Sequence, residues 1–429
     1  MENNMKKIVV RGKTPLKGNV TISAMKNAAL PIIFACVLVK DKCTIENIPN
    51  VRDVLFSFDI LRRMGARIEF VNDNTVEIDC SEVEAGTSSY ELVRQMRASY
   101  YLMGAELGRF GYAKVGLPGG CDFGGRPIDQ HIKGFEALGG DVKIEDGYVE
   151  IKRHEPLRGA EIFFDMETVG ATINIMLASV ISEGLTVIDN AAKEPHIVDL
   201  ANFLNTCGAK IRGAGTDMIK VHGVRELHGC TYAIIPDMIE AGTYMIAAAV
   251  TKGCVTVDNV IPKHLESVSK KLEEMGVDIE EYDDSVKVDA TNCNFKPTKV
   301  KTLPYPGFPT DMQPQMSVIL TQAEGVSSIS EGVYEDKRFR YVEELARMGA
   351  DIIVQSSKAI INGCTPLHGA KVQALDLRAG VAMIIAGLVA EGETEISEVY
   401  RIERGYDDIV GKLTALGADI KYVDVPDEE

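Results

Sequence analysis

The sequence predicts an α/β protein of two similar domains, each made of three ββαβαβ-like repeats around buried helices. Three observations carry this expectation. The chain has 429 residues, more than one ordinary hydrophobic core holds, so two or three domains are expected. A pattern of amphipathic helix, glycine and short strand recurs six times. Upstream of each recurrence stands a short segment that is apolar on every face, and a helix of that kind belongs inside a core.

The recurring segments are LRRMGARIEF, FEALGGDVKI, LNTCGAKIRG, LEEMGVDIEE, LARMGADIIV and LTALGADIKY. Their glycines, Gly65, Gly139, Gly208, Gly276, Gly349 and Gly417, are spaced 74, 69, 68, 73 and 68 residues apart. Glycine just past a helix takes the left-handed conformation without a steric penalty, so each marks a helix end. The apolar segments are NAALPIIFACVLV, RASYYLMGAEL, VGATINIMLASVI, AGTYMIAAAV, QMSVILTQA and RAGVAMIIAGLVA. Between the two helices of a unit runs a strand and turn, such as TIENIPNV, TVIDNAAKEP and TVDNVIPKH. The second unit carries KVGLPGGCDFGGRP there instead.

A unit of roughly 70 residues is longer than the usual solenoid repeat, which disfavours one continuous solenoid. Six units divide into two domains of three. The first strand, in KKIVVRGKTPLKGNVTI, precedes unit one, and the last unit ends early. The expectation is an N-terminal domain over 22–235. Residues 1–21 and 236–429 form the second domain, and a cleft between the two holds the active site.

Composition narrows the class. The chain is 45% hydrophobic and 25% charged, with a formal net charge of −17. That acidity argues against non-specific binding to nucleic acid or anionic membranes, although a local cluster of Arg and Lys still serves an anionic substrate. No apolar run reaches the ~18 residues that span a bilayer, and the N-terminal segment lacks a signal-peptide core. The nine cysteines are scattered without a CxxC pair, which reads as reduced thiols of a cytoplasmic protein rather than a disulfide framework or zinc site. No histidine spacing suggests a metal, and no cofactor is expected.

The second unit, where the pattern breaks, is the place to seek chemistry. PGGCDFGGRPIDQH surrounds Cys121 with Pro118, Gly119, Gly120, Gly124 and Gly125. Such a segment bends easily and offers backbone N–H groups to an anion. Arg126 favours the thiolate of Cys121, whereas Asp122 opposes it. Three other segments stand out. SAMKNAALPI puts Lys26 and Asn27 at the start of an apolar helix, where a lysine is either a solvated flank or a cation facing a ligand. FPTDMQPQ puts Asp311 just before another such helix, either as an N-cap or as a functional carboxylate. RIERGYDD puts Arg401 and Arg404 in a turn, where an exposed ion pair with Glu403 or Asp407 is the plain alternative.

Together these segments resemble the UDP-N-acetylglucosamine 1-carboxyvinyltransferase family. The resemblance spans essentially the whole chain through KNAALP (26–31), MRAS (96–99), PGGC (118–121), RPID (126–129), VGATINI (169–175), NAAKEPHIVD (190–199), GTD (215–217), FPTDMQPQ (308–315), DLRAG (376–380) and ERGYDDI (403–409). It implies the inside-out α/β barrel of the enolpyruvyl transferases. The related 5-enolpyruvylshikimate-3-phosphate synthases share the six-unit architecture but open with an LPGSKS-like motif and have no cysteine loop. A shikimate-type transferase and a catalytically silent UDP-sugar-binding paralogue are the alternative functions.

The resemblance implies an enzyme of peptidoglycan synthesis, acting on phosphoenolpyruvate and UDP-N-acetylglucosamine and inhibited by fosfomycin at Cys121. Cys121, Asp311, Lys26 and Arg404 match catalytic positions. Lys26, Asn27, Arg126 and Arg404 match contacts to phosphoenolpyruvate. Arg97, Arg126, Pro127, Ile128, Asp129, Gln130, Thr168, Val169, Asp311 and Val333 match contacts to the nucleotide sugar. One departure concerns Met166-Glu167-Thr168, where the family often carries a lysine and a serine.

Overall fold

The structure is a computed structural model that describes residues 6–85, 96–117 and 127–425. The chain divides into two compact units, Ala24–Ile235 and Met1–Ser23 with Pro236–Glu429. Among the described residues, no helix is long and apolar enough to cross a membrane.

In the Ala24–Ile235 unit the apolar segments form the helices Lys26–Ala35, Leu102–Phe110 and Val169–Ser179. In the other unit they form Met238–Val250, Gln313–Leu320 and Leu377–Val389. All six are buried nearly throughout, and burying a Leu, Ile or Phe side chain contributes about 1.5–3 kcal/mol. Helices this apolar stay inside only if they pack against one another, and within each unit they do. Close approach depends on small residues. A Cβ on Gly104 would lie 2.3 Å from the Asn174 carbonyl oxygen of the neighbouring core helix.

The amphipathic segments form outer helices at Arg52–Arg63, Asp129–Ala137, Pro195–Thr206, Pro262–Glu274, Val342–Arg347 and Ile409–Ala415. Each ends two residues before one of the six glycines, whose φ values lie between 95° and 106°. A strand, a core helix and a second strand make a parallel crossover, as in Lys299–Lys301, Gln313–Leu320 and Val326–Ser330. The outer helix and an antiparallel strand pair follow. This order is a cyclic permutation of ββαβαβ, so the expected α/β repeat is what the chain forms.

Among the described residues there are five four-stranded sheets and one three-stranded sheet. The N-terminal strand Lys6–Arg11 lies between Glu393–Ser397 and Asp419–Asp424, antiparallel to both. Lys17–Thr21 pairs in parallel with Cys254–Asp258. In the other unit Thr231–Ala233 returns to pair in parallel with Lys42–Glu46.

A side-chain device locks these parallel pairs. Asn47, Asn190 and Asn259 follow the central strands of three units with φ of 55–58°. Each donates its amide to a carbonyl of the adjoining segment: Ile234, Phe164 and Ile22, at 2.8, 2.9 and 2.7 Å. Asparagine tolerates the left-handed region better than other side chains.

Asp199, in the NAAKEPHIVD segment, fastens the returning strand. It accepts from the Tyr232 hydroxyl at 2.5 Å and from the Ile235 N–H at 3.4 Å. Burial raises its pKa to about 6 despite those bonds. A raised carboxyl pKa gives stability that is complete below the unfolded value and lost as pH rises through the folded one. The shift corresponds to roughly 3 kcal/mol between about pH 4 and pH 7. Asp199→Asn is therefore expected to flatten the pH dependence of urea unfolding across that window. An unchanged slope would remove Asp199 from the account.

Candidate active site

In the Ala24–Ile235 unit, Lys26 opens its core helix and its Nζ sits 3.1 Å from Asp53 Oδ2. Both side chains are about nine-tenths buried, at 11% and 9% exposure, so Lys26 is not a solvated flank. Asp53 stands in the first turn of Arg52–Arg63, where a helix dipole favours a carboxylate. The pair fixes the ammonium at a helix N-terminus, a setting suited to anions. Asn27 follows it, half-buried.

The same core helix packs against the short 3₁₀ segment Arg97–Tyr101. The Arg97 side chain lies outside the described residues, as do Cys121 and Arg126. Pro127 and Ile128 lead into the outer helix Asp129–Ala137, with Pro127 exposed. Gln130, buried at 6% exposure, accepts from the Asp165 N–H at 3.0 Å and donates to Asp165 Oδ2 at 3.0 Å and Asp129 Oδ2 at 2.7 Å. It thereby joins the two stretches assigned from sequence to the nucleotide, 126–130 and 166–169. Lys133 adds an ion pair to Asp165 at 2.9 Å.

A second joint begins at the next residue. His131 Nδ1 and Asn174 Nδ2 are 3.1 Å apart, and the Tyr100 ring meets the His131 ring edge-on at 5.1 Å. A Cβ on Gly170 would fall 2.4 Å from the Tyr100 hydroxyl. These contacts bring the MRAS, RPID and VGAT segments together. Thr168 and Val169 begin the core helix and are half-buried. Glu167, from the departing Met166-Glu167-Thr168 stretch, pairs with Lys193 of NAAKEPH at 2.7 Å.

In the other unit Asp311 is not an N-cap. It sits in the 3₁₀ turn Thr310–Met312, and its carboxylate is gripped on both oxygens. Arg338 Nη2 donates to Oδ1 at 2.8 Å; Arg378 Nε and Nη2 donate to Oδ2 at 3.1 and 3.0 Å. The guanidiniums are buried, with side chains 3% and 5% exposed, and the carboxylate is 27% exposed. Burial alone would lower both arginine pKa values, but the Asp311 charge reverses this and leaves them raised. The result is a carboxylate of fixed orientation with an accessible edge.

Two further residues hold this arrangement. Glu331 accepts from Thr310 Oγ1 at 3.1 Å and from the Val333 N–H at 2.9 Å, so the Asp311 turn and the Val333 turn share one anchor. Val333 itself is 38% exposed. The Arg378 guanidinium lies over the Tyr406 ring at 5.4 Å. Tyr406 belongs to the turn that carries Arg404, half-buried. Arg401 is spent on structure, with Nη1 donating to the Leu375 carbonyl at 2.6 Å. Sequence reading missed Asp53, Glu331, Arg338 and Arg378 as partners. DLRAG contained Arg378, and the other three carry no local signal.

Comparisons with known proteins fit this picture. Residues 10–413 match the family model of EPSP synthase (3-phosphoshikimate 1-carboxyvinyltransferase). The chain is 56% identical over 417 residues to a UDP-N-acetylglucosamine 1-carboxyvinyltransferase of Clostridium botulinum, covering 97% of this chain and 99% of that one. It is 50% identical over 425 residues to UDP-N-acetylglucosamine 1-carboxyvinyltransferase 2 of Bacillus subtilis, covering 99% and 98%. Among solved structures, the enolpyruvyl transferase NikO from Streptomyces tendae superposes with a TM-score of 0.89 at 24% identity, over 98% of this chain and all of that one. An EPSP synthase from Acinetobacter baumannii gives 0.76 at 19% identity, over 98% and 100%. The two structural likenesses speak for the fold.

Proposed function

We propose that this chain, which belongs to the UDP-N-acetylglucosamine 1-carboxyvinyltransferases within the EPSP synthase (3-phosphoshikimate 1-carboxyvinyltransferase) family, transfers the enolpyruvyl group of phosphoenolpyruvate to the 3-hydroxyl of UDP-N-acetylglucosamine and releases phosphate. This is the first committed step of peptidoglycan synthesis, carried out in the cytoplasm. The observation that carries the reading is identity of 50–56% over nearly the full length of enzymes bearing that name. The shikimate-type alternative is not favoured, since the solved EPSP synthase is only 19% identical. A silent paralogue is not favoured either, since Lys26, Arg126, Asp311 and Arg404 are all present.

The proposed mechanism is addition followed by elimination. Asp311 takes the proton of the sugar 3-hydroxyl as that oxygen attacks C2 of phosphoenolpyruvate. Cys121 gives a proton to C3. The Cys121 thiolate then takes a proton back from C3, the C2–O bond breaks with its electron pair leaving on phosphate, which accepts the proton held by Asp311, and the double bond is restored. Lys26, Arg126 and Arg404 offset the charge of the phosphate and carboxylate. Asn27 stands beside them, and Arg97, Pro127, Ile128, Asp129, Gln130, Thr168, Val169 and Val333 hold the nucleotide sugar. The chemistry needs no metal, because the bond that breaks is carbon–oxygen. Fosfomycin is proposed to alkylate the Cys121 thiol.

Phosphate release tests the assignment. It is expected with phosphoenolpyruvate plus UDP-N-acetylglucosamine, and not when shikimate 3-phosphate is the acceptor. Release with shikimate 3-phosphate, or none with either acceptor, would overturn it. Lys26 is testable separately. Lys26→Gln keeps a hydrogen-bond donor for Asp53 but removes the cation. Loss of one charge-assisted contact costs about 1.5–3 kcal/mol. Steady-state kinetics should show kcat/KM for phosphoenolpyruvate about 10–100-fold lower, with KM for the nucleotide sugar little changed. An unchanged kcat/KM for phosphoenolpyruvate would remove Lys26 from that site.

A further inference from the structure

Read along the chain, the cysteines other than Cys121 pass for packing residues. Folding gathers three of them in the Ala24–Ile235 unit. Cys43 lies on the strand Lys42–Glu46, Cys207 directly follows the helix Pro195–Thr206, and Cys230 directly precedes the strand Thr231–Ala233. Their three sulfurs all lie within 4.8 Å of one another. Cys207 Sγ and Cys230 Sγ are 3.3 Å apart. Cys36, in the 3₁₀ turn Cys36–Leu38, lies outside this trio, and its Sγ lies 3.4 Å from the Ile32 carbonyl oxygen.

The backbone holds these thiols in place. The parallel register sets Thr231 beside Thr44, which puts Cys230 beside Cys43, and the Thr44 N–H donates to the Cys230 carbonyl at 2.8 Å. The His228 N–H donates to the Cys207 carbonyl at 2.9 Å. Cys43 and Cys207 are buried, whereas Cys230 is partly accessible. Two of the three thiols are therefore shielded from solvent, and the third gives the cluster its access.

We propose that Cys43, Cys207 and Cys230 form a three-thiolate site for a soft divalent cation of the zinc type. Four-coordinate zinc holds its sulfurs at about 2.3 Å, which separates them from one another by about 3.8 Å by tetrahedral geometry. The observed separations, from 3.3 Å to within 4.8 Å, bracket that value, so small χ1 adjustments close the site. Soft thiolates select zinc-like ions over magnesium or calcium. Each ligating thiol releases its proton to solvent on binding, so uptake acidifies an unbuffered solution. The site is separate from the residues proposed for enolpyruvyl transfer, and it joins the strand Lys42–Glu46 to the returning strand Thr231–Ala233.

The test uses the reduced, chelator-treated full-length protein titrated with Co²⁺ and then Zn²⁺. The expected result is an intense thiolate-to-cobalt charge-transfer band that saturates at one equivalent per chain and is abolished by Zn²⁺. The double variant Cys207→Ser/Cys230→Ser should lose the band, and Cys254→Ser/Cys293→Ser, in the other unit, should keep it. A second readout does not depend on whether any variant folds. In the wild-type protein Zn²⁺ should protect the partly accessible Cys230 from maleimide while Cys254 and Cys364 react as before, read by peptide mass spectrometry. The proposal is overturned if the wild-type protein gives no thiolate–cobalt band. A band that persists in the folded Cys207→Ser/Cys230→Ser protein, or zinc protection no greater at Cys230 than at Cys254, overturns it equally.

Discussion

Asp311→Asn lowers kcat by about a hundred- to ten-thousand-fold, the usual contribution of a positioned general base. An amide cannot take the proton of the sugar hydroxyl. It also presents an NH₂ group to one of two buried guanidiniums that now find a carboxylate oxygen apiece, Arg338 at 2.8 Å and Arg378 at 3.0 Å. Breaking buried ion pairs in this way costs about 3–5 kcal/mol, so the variant is also expected to melt earlier. The two effects separate by experiment. Below its melting transition the variant should still bind UDP-N-acetylglucosamine in a calorimeter while turning over negligibly. A kcat within tenfold of the wild-type value, in protein shown to be folded, would exclude Asp311 as the base.

Cys121→Ser is expected to lower turnover by a similar factor, because a serine hydroxyl is a far weaker acid than a thiol. Cys121→Asp should behave differently. A carboxylic acid can still deliver a proton to C3 of phosphoenolpyruvate, so activity should persist. Both variants should escape alkylation by fosfomycin, since neither retains the sulfur nucleophile. Intact-protein mass after incubation with the inhibitor measures this directly. Continued single-site labelling of the serine variant would move the reactive group elsewhere. A folded but inactive aspartate variant would mean that the thiol does more than supply a proton.

The repeat was legible in sequence because its strongest marks are backbone requirements. Gly65, Gly139, Gly208, Gly276, Gly349 and Gly417 all adopt positive φ, and a residue forced by backbone geometry shows itself without knowledge of its neighbours. The six core helices were equally plain, since apolarity on every face admits one environment. The locking asparagines were not. Asn47, Asn190 and Asn259 looked like ordinary turn residues, and their meaning lies in carbonyls 187, 26 and 237 residues away.

The site divides along the same line. Lys26 stood out by its place before an apolar run, but Asp53, which fixes its ammonium, did not. Asp311 was conspicuous, with an N-cap as the plain local alternative to a functional carboxylate. Its true partners, Arg338 and Arg378, lie 27 and 67 residues on. Gln130 was named only by resemblance, and its two hydrogen bonds with Asp165 show what it holds together. The thiols at 43, 207 and 230 carry no metal-like spacing, because two strands and a helix end assemble them from remote segments.

The claim that this chain breaks the carbon–oxygen bond of phosphoenolpyruvate is tested most directly by isotope position. Phosphoenolpyruvate labelled with ¹⁸O in the oxygen bridging C2 and phosphorus is incubated with the protein and UDP-N-acetylglucosamine, and the released phosphate is weighed by mass spectrometry. Addition and elimination at C2 sends the label out with the phosphate, while the enolpyruvyl ether keeps the unlabelled sugar oxygen. Label retained in the organic product, with unlabelled phosphate, would mean phosphorus–oxygen cleavage and would contradict the account.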